Sequence, residues 1–167
     1  MNKKLKRMTT LAMLVATAMI LSFVESQIPP IVPIPGVKLG LANIATLFAL
    51  YKLGELDALA VSAVRVSLSS IIFGSVSSFA YAIAGAMLSL AVMMLLRRLG
   101  GFMKFTVSIA GAVAHNIAQI GVAFLILQTE VVIYYLPALL ISGIITGAAI
   151  GALGALLLKK LEKLELK

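Results

Sequence analysis

The stretch HNIAQ, residues 115–119, sets an imidazole and two amides inside a long apolar run. On a helix His115 and Gln119 lie one turn apart and Asn116 and Gln119 three residues apart, so the three side chains address one sector. Asn43 and Arg65 sit in similarly apolar surroundings, and Lys38 stands at the head of the run that carries Asn43. A guanidinium and an ammonium attract a carboxylate or phosphate, while amides and an imidazole orient the rest of a polar molecule. The set suits capture of a small-molecule substrate.

Bond-breaking chemistry has little to work with. The chain has no cysteine and one histidine, so neither a thiolate site nor a metal-ligand spacing is available. Asp57 is the sole aspartate, which excludes a self-contained aspartate-rich Mg²⁺ site for a prenyl diphosphate. There is no GxxxxGK[ST] phosphate loop and no Ser, His and acid set at compatible depths. The expectation is a protein that binds without catalysing, with no cofactor and no metal.

The elements that must position these residues are membrane helices. Hydrophobic residues make up 62% of the 167 positions and charged ones only 12%, at a mean hydropathy of +1.13, far too apolar for one small soluble domain. A net charge of +8 would suit a nucleic-acid binder, but Lys and Arg gather in short clusters between apolar runs, as the flanks of membrane spans do. The bilayer, not nucleic acid, is the implied environment.

Apolar runs predict an all-α membrane protein of six transmembrane helices at roughly 8–24, 39–53, 57–73, 79–96, 105–127 and 131–158. Lys3, Lys4, Lys6 and Arg7 precede the first, Arg97, Arg98 and Lys104 separate the fourth from the fifth, and Lys159, Lys160, Lys163 and Lys167 follow the sixth. The positive-inside rule then puts both termini in the cytoplasm. The opening MNKKLKR resembles the start of a signal peptide, but its apolar run continues into SFVESQIPP and reads as a retained first helix. Residues 1–167 form a single integral membrane domain without internal repeats.

Four of the five prolines, Pro29, Pro30, Pro33 and Pro35, fall between the first two spans. Proline fixes φ and lacks an N–H, so this segment is stiff and extended, and residues 25–38 make a candidate extracellular lid. At about 1.5 Å of rise per residue, Asn43 lies roughly 7 Å inward of Lys38, level with Gln119, while Arg65 and His115 fall near mid-depth. Glu25 is the nearest outer acid. Lys38, Arg65 and His115 therefore bias the space beneath the lid toward an anionic ligand. Plainer roles stay open: the amides can bond between helices, Arg65 can snorkel to Glu55 or Asp57, and the loop can be a simple connector.

Two stripes of small residues complete the pattern. Ala12 and Ala16 form an AxxxA near the cytoplasmic end of the first helix, and Gly143, Gly147 and Gly151 form a double GxxxG on the sixth. The glycines read as an internal packing seam and the alanines as a seat for an external partner.

PGVKLGLANIATLFALY, AVRVSLSSIIFG, AGAVAHNIAQ and YYLPALLISGIITG resemble the bacterial family called Gx transporters, also labelled heptaprenyl diphosphate synthase component I. The likeness covers nearly the whole chain and is most specific in PGVKLGLANI and AHNIAQ. That family is similar in turn to the S components of energy-coupling factor importers, six-helix proteins that capture vitamins outside the cell and join a membrane coupling subunit and an ATPase pair. The resemblance implies that Pro29 to Gly36 caps the pocket, that Ala12 and Ala16 dock on the coupling subunit, and that the protein sits in the bacterial plasma membrane. Its alternatives are an accessory membrane subunit of isoprenoid or menaquinone side-chain (heptaprenyl diphosphate) synthesis, and a ligand-free scaffold.

Overall fold

Long apolar sequences punctuated by Gly, Pro and charge can satisfy their backbone polar groups in a membrane only as helices. The computed structural model describes residues 3–28 and 40–165, and all its regular elements among them are helical. They are α1 (Lys3–Ser26), α2 (Asn43–Lys52), α3 (Glu55–Phe73), α4 (Val76–Leu99), α5 (Lys104–Leu127) and α6 (Leu136–Glu165), with a 3-10 turn at Glu130–Tyr135 leading into the last. Lys38 and the proline segment, Pro29 to Gly36, lie outside the described residues.

Five of these helices are long and apolar enough to cross a bilayer. The exception is α2, which falls within the expected second span at 39–53, the shortest of the six. At ten residues, α2 is about 15 Å long, half of a bilayer's hydrocarbon thickness. It is preceded by tight turns in which the N–H groups of Asn43, Ile44 and Ala45 bond to the carbonyls of Gly40, Leu41 and Ala42. Those bonds satisfy the first donors of a helix whose start is buried. Ala45, Thr46, Leu47, Ala49 and Leu50 are all buried, so α2 is wrapped nearly all round, touching α1, α3, α4 and α6.

Charge pairs fix the relative directions of the helices. Arg7 on α1 grips Asp57 on α3 through Nε and Nη2, at 2.6–3.2 Å, and Arg98 at the end of α4 pairs with Glu55. Tyr51 near the end of α2 has the Arg97 guanidinium 5.5 Å and the Lys104 ammonium 5.7 Å from its ring centroid, a cation–π arrangement. The starts of α1, α3 and α5 and the ends of α2 and α4 thus share one end of the bundle, the end that the positive-inside rule assigns to the cytoplasm. Arg65 accordingly has neither Glu55 nor Asp57 to itself, because other arginines hold them.

Along the other flank α6 runs back against α5. A Cβ built at Gly147 would stand 2.7 Å from Ile109 Cα, and one at Gly151 would stand 2.9 Å from Phe105 Cα. Only glycine permits that approach of backbone to backbone. The glycine stripe is an internal seam, as its spacing suggested.

Two apolar clusters fill the interior. Leu47, Leu50, Val61, Leu90, Met93, Val107 and Ile150 pack toward the cationic end, and Tyr81, Ile120, Ala123, Val132 and Leu139 pack toward the other. Between them, on α3, α4 and α5, lie Arg65, Ser89, His115 and Gln119. The polar residues occupy a layer between two dry clusters.

Candidate functional site

Arg65 is the centre of that layer. It is only 6% exposed, on the inner face of α3, and its Nη2 donates a long hydrogen bond of 3.3 Å to Asn43 Oδ1 at the start of α2. Its Nε has no partner in the described residues. Glu25, buried at the end of α1, lies within electrostatic range of Arg65 and supplies a balancing charge. The Glu25 carboxylate also accepts a hydrogen bond from the Gly40 backbone N–H. Gly40 has φ +81°, and an added Cβ would sit 3.0 Å from the Asn43 amide nitrogen, so the turn that presents Asn43 favours glycine there.

From the opposite wall α5 contributes His115 and Gln119, both buried. The His115 ring lies against Gly85 of α4, where a Cβ would come within 2.7 Å of Cε1 and Nε2. The ring lies within electrostatic range of Arg65, and its Nδ1 has no partner among the described residues. Gln119 Oε1 likewise has no partner among the described residues.

Asn116 is placed differently from its two neighbours. Its amide donates to the Leu139 carbonyl at 2.6 Å and rests where Gly143 leaves room on α6. It ties α5 to the glycine seam, the interhelical role that amides commonly take in membranes. Asn43, expected at the level of Gln119, is bonded to Arg65, whose side chain is long enough to reach it.

Three participants escape a sequence reading based on charged groups and amides. Thr46, Ser62 and Ser89 are buried with hydroxyls that have no partner among the described residues. Thr46 is three residues after Asn43 and Ser62 three before Arg65, so helical spacing from those residues is the signal that finds them. Together with Arg65 Nε, His115 Nδ1 and Gln119 Oε1 they bring both hydrogen-bond donors and acceptors into the bundle. Few native polar atoms are left this way, and each costs about 1–3 kcal/mol.

The two residues expected to seat a partner are not part of the buried interior. Ala12 and Ala16 are exposed, on a face of α1 turned away from its buried residues Ala18, Ser22 and Glu25.

No curated protein and no solved structure shows a significant match to the chain. Residues 14–157 match the model of a family described as heptaprenyl diphosphate synthase component I, a stretch that includes every described residue of the polar layer. The chain belongs to the heptaprenyl diphosphate synthase component I family.

Proposed function

We propose that this multi-pass membrane protein is the substrate-binding subunit of an energy-coupling-factor-type importer, holding a small anionic vitamin or cofactor precursor and performing no catalysis of its own. The observation that supports this reading is the set of six buried polar atoms on α2, α3, α4 and α5 that have no hydrogen-bond partner among the described residues. A molecule that completes their hydrogen bonds gains what their desolvation cost. Arg65 Nε calls for an acceptor such as a carboxylate or phosphate oxygen, and Gln119 Oε1 calls for a donor on the same ligand. Glu25 keeps Arg65 from standing as an uncompensated buried charge before the ligand arrives. Because Glu25 also holds Gly40, a change at Arg65 is passed to residues on either side of the proline segment. The importer would sit in the bacterial plasma membrane, with a coupling subunit and an ATPase pair as partners.

A second reading has its own support. The family's description favours an accessory membrane subunit of heptaprenyl diphosphate synthesis, which would work with a soluble catalytic partner.

Mass spectrometry of small molecules co-purifying with wild type and with Arg65→Gln tests the proposal. Glutamine keeps hydrogen bonding but removes the charge, so the bound molecule should be lost with an affinity at least about tenfold weaker. Unchanged retention in a folded variant, or a neutral hydrocarbon as the bound species, refutes the anionic-substrate reading. Recovery of a prenyl diphosphate with a soluble prenyltransferase would establish the second.

A further inference from the structure

The polar layer has an inner tier made of hydroxyls. Serine and threonine in membrane helices ordinarily bond to a carbonyl of their own helix, as Ser69 does to Val66. Thr46, Ser62 and Ser89 have no partner among the described residues and are at most 2% exposed. Thr46 follows Asn43 by three residues and Ser62 precedes Arg65 by three, so each shares a sector with a member of the Arg65–Asn43 hydrogen bond. Ser89 follows Gly85, the residue against which the His115 ring rests, by four. Three helices thus each place one hydroxyl a single turn from the level of Arg65 and His115, on its cationic side.

Fixed contacts between helices give the depth of that tier. Arg98 pairs with Glu55, which lies seven residues from Ser62 and ten from Arg65. Helical rise puts Ser62 about 10.5 Å and Arg65 about 15 Å from that pair, with Ser89, nine residues back from Arg98, at about 13.5 Å. On the other wall Ser89 Oγ is 3.1 Å from where a Cβ would stand on Gly111, and Gly111 is four residues from His115 and eight from Gln119. The polar atoms therefore extend over about 12 Å along α5, with the charged Arg65 at the middle level and uncharged groups at both ends.

We infer that Thr46, Ser62 and Ser89 form an inner subsite for an uncharged hydrogen-bonding group of the captured anion, about 4.5 to 6 Å from the carboxylate or phosphate held at Arg65, so that the substrate is a hydroxylated acid and not a fatty or prenyl one. The inference rests on the reading of this layer as an anion-capture site. A hydroxyl both donates and accepts, so three of them suit a ligand hydroxyl or amide better than a second anion. An alkyl or prenyl chain would leave all three without partners in a dry surrounding, at a cost for each. Water filling the tier would not distinguish one acid from another.

Thermal unfolding of the full chain in detergent, titrated with sodium butyrate or sodium γ-hydroxybutyrate at matched ionic strength, reads out the subsite. The two acids differ by one hydroxyl, which an extended four-carbon chain holds about 5 Å from the carboxylate. Wild type should bind γ-hydroxybutyrate about two- to tenfold more tightly, the range of one neutral hydrogen bond. S62A/S89A should bind both acids alike, at the butyrate level. Its ligand-free midpoint should stay the same or rise, because two buried hydroxyls without partners are gone. Equal affinity of wild type for the two acids, or a preference that survives in S62A/S89A, overturns the inference and leaves the anion site standing. A lowered ligand-free midpoint of S62A/S89A overturns it too, by making the hydroxyls fasteners of the fold. If neither acid shifts wild type, or if Arg65→Gln responds to both as wild type does, the anion-capture reading falls and takes the inference with it.

Discussion

Gly143, Gly147 and Gly151 on α6 meet the backbone of α5, whereas Ala12 and Ala16, at the same four-residue spacing on α1, face outward. The two flanks of the polar layer are therefore built on different terms. The α5–α6 flank is a closed wall, with Asn116 bonded across it and Ser108 and Ile109 against the glycines. The α1 flank meets α3 through the Arg7–Asp57 pair near the cationic end and through a contact of Phe23 with Phe73 near the other. A spacing of small residues reports only that something can come close; whether that something belongs to the same chain is decided by the rest of the fold.

The largest effect that separates the flanks is expected at Gly147. Gly147→Leu forces a side chain where even a Cβ is 2.7 Å from Ile109 Cα, so overpacking should cost about 3 kcal/mol or more and yield protein that aggregates or unfolds early in a detergent melt. A melt matching wild type would mean that the seam is loose.

A contrasting result is expected when Ala12 and Ala16 are both changed to Leu. These positions are exposed, so stability should move by no more than about 0.5 kcal/mol, while co-purification with a coupling subunit is lost. Complex formation at the wild-type level would remove the alanines from the proposed interface.

The smallest change is expected for Asp57→Asn. It breaks the bidentate grip on Arg7, whose side chain is 59% exposed, so the pair is screened by solvent and contributes little. The unfolding midpoint should fall slightly at low salt, and the difference from wild type should narrow as salt is added. A large loss independent of salt would make this pair the main fastener of α1.

The helical plan was legible because a bilayer leaves few alternatives: long apolar runs bounded by charges become helices. Boundaries depended on tertiary partners. The third helix begins at Glu55, two residues before its expected start, with Glu55 paired to Arg98. The second begins at Asn43 because Gly40 and its turns take up the chain first. Within the site, Arg65, His115 and Gln119 were legible from the cost of burying them in a membrane. The hydroxyls of Thr46, Ser62 and Ser89 were not, since serine and threonine in such helices ordinarily bond to their own backbone, as Thr146 does to Ser142. The separate task of Asn116 was hidden by its sharing a sector with Gln119 on paper, while α6 draws its amide away.

The central position of α2 has a consequence for the order of assembly in the cell. Leu47 packs where Gly154 leaves room on α6, although the two residues are separated by most of the chain. During synthesis α2 emerges early, but its seat is incomplete until the final helix has been inserted. The short helix, too brief to cross a bilayer unaided, therefore depends on later segments for its shelter, and its hold on Asn43 and Thr46 matures last. Truncation within α6 would leave the early helices in the membrane yet deprive the polar layer of the wall that α6 forms with α5.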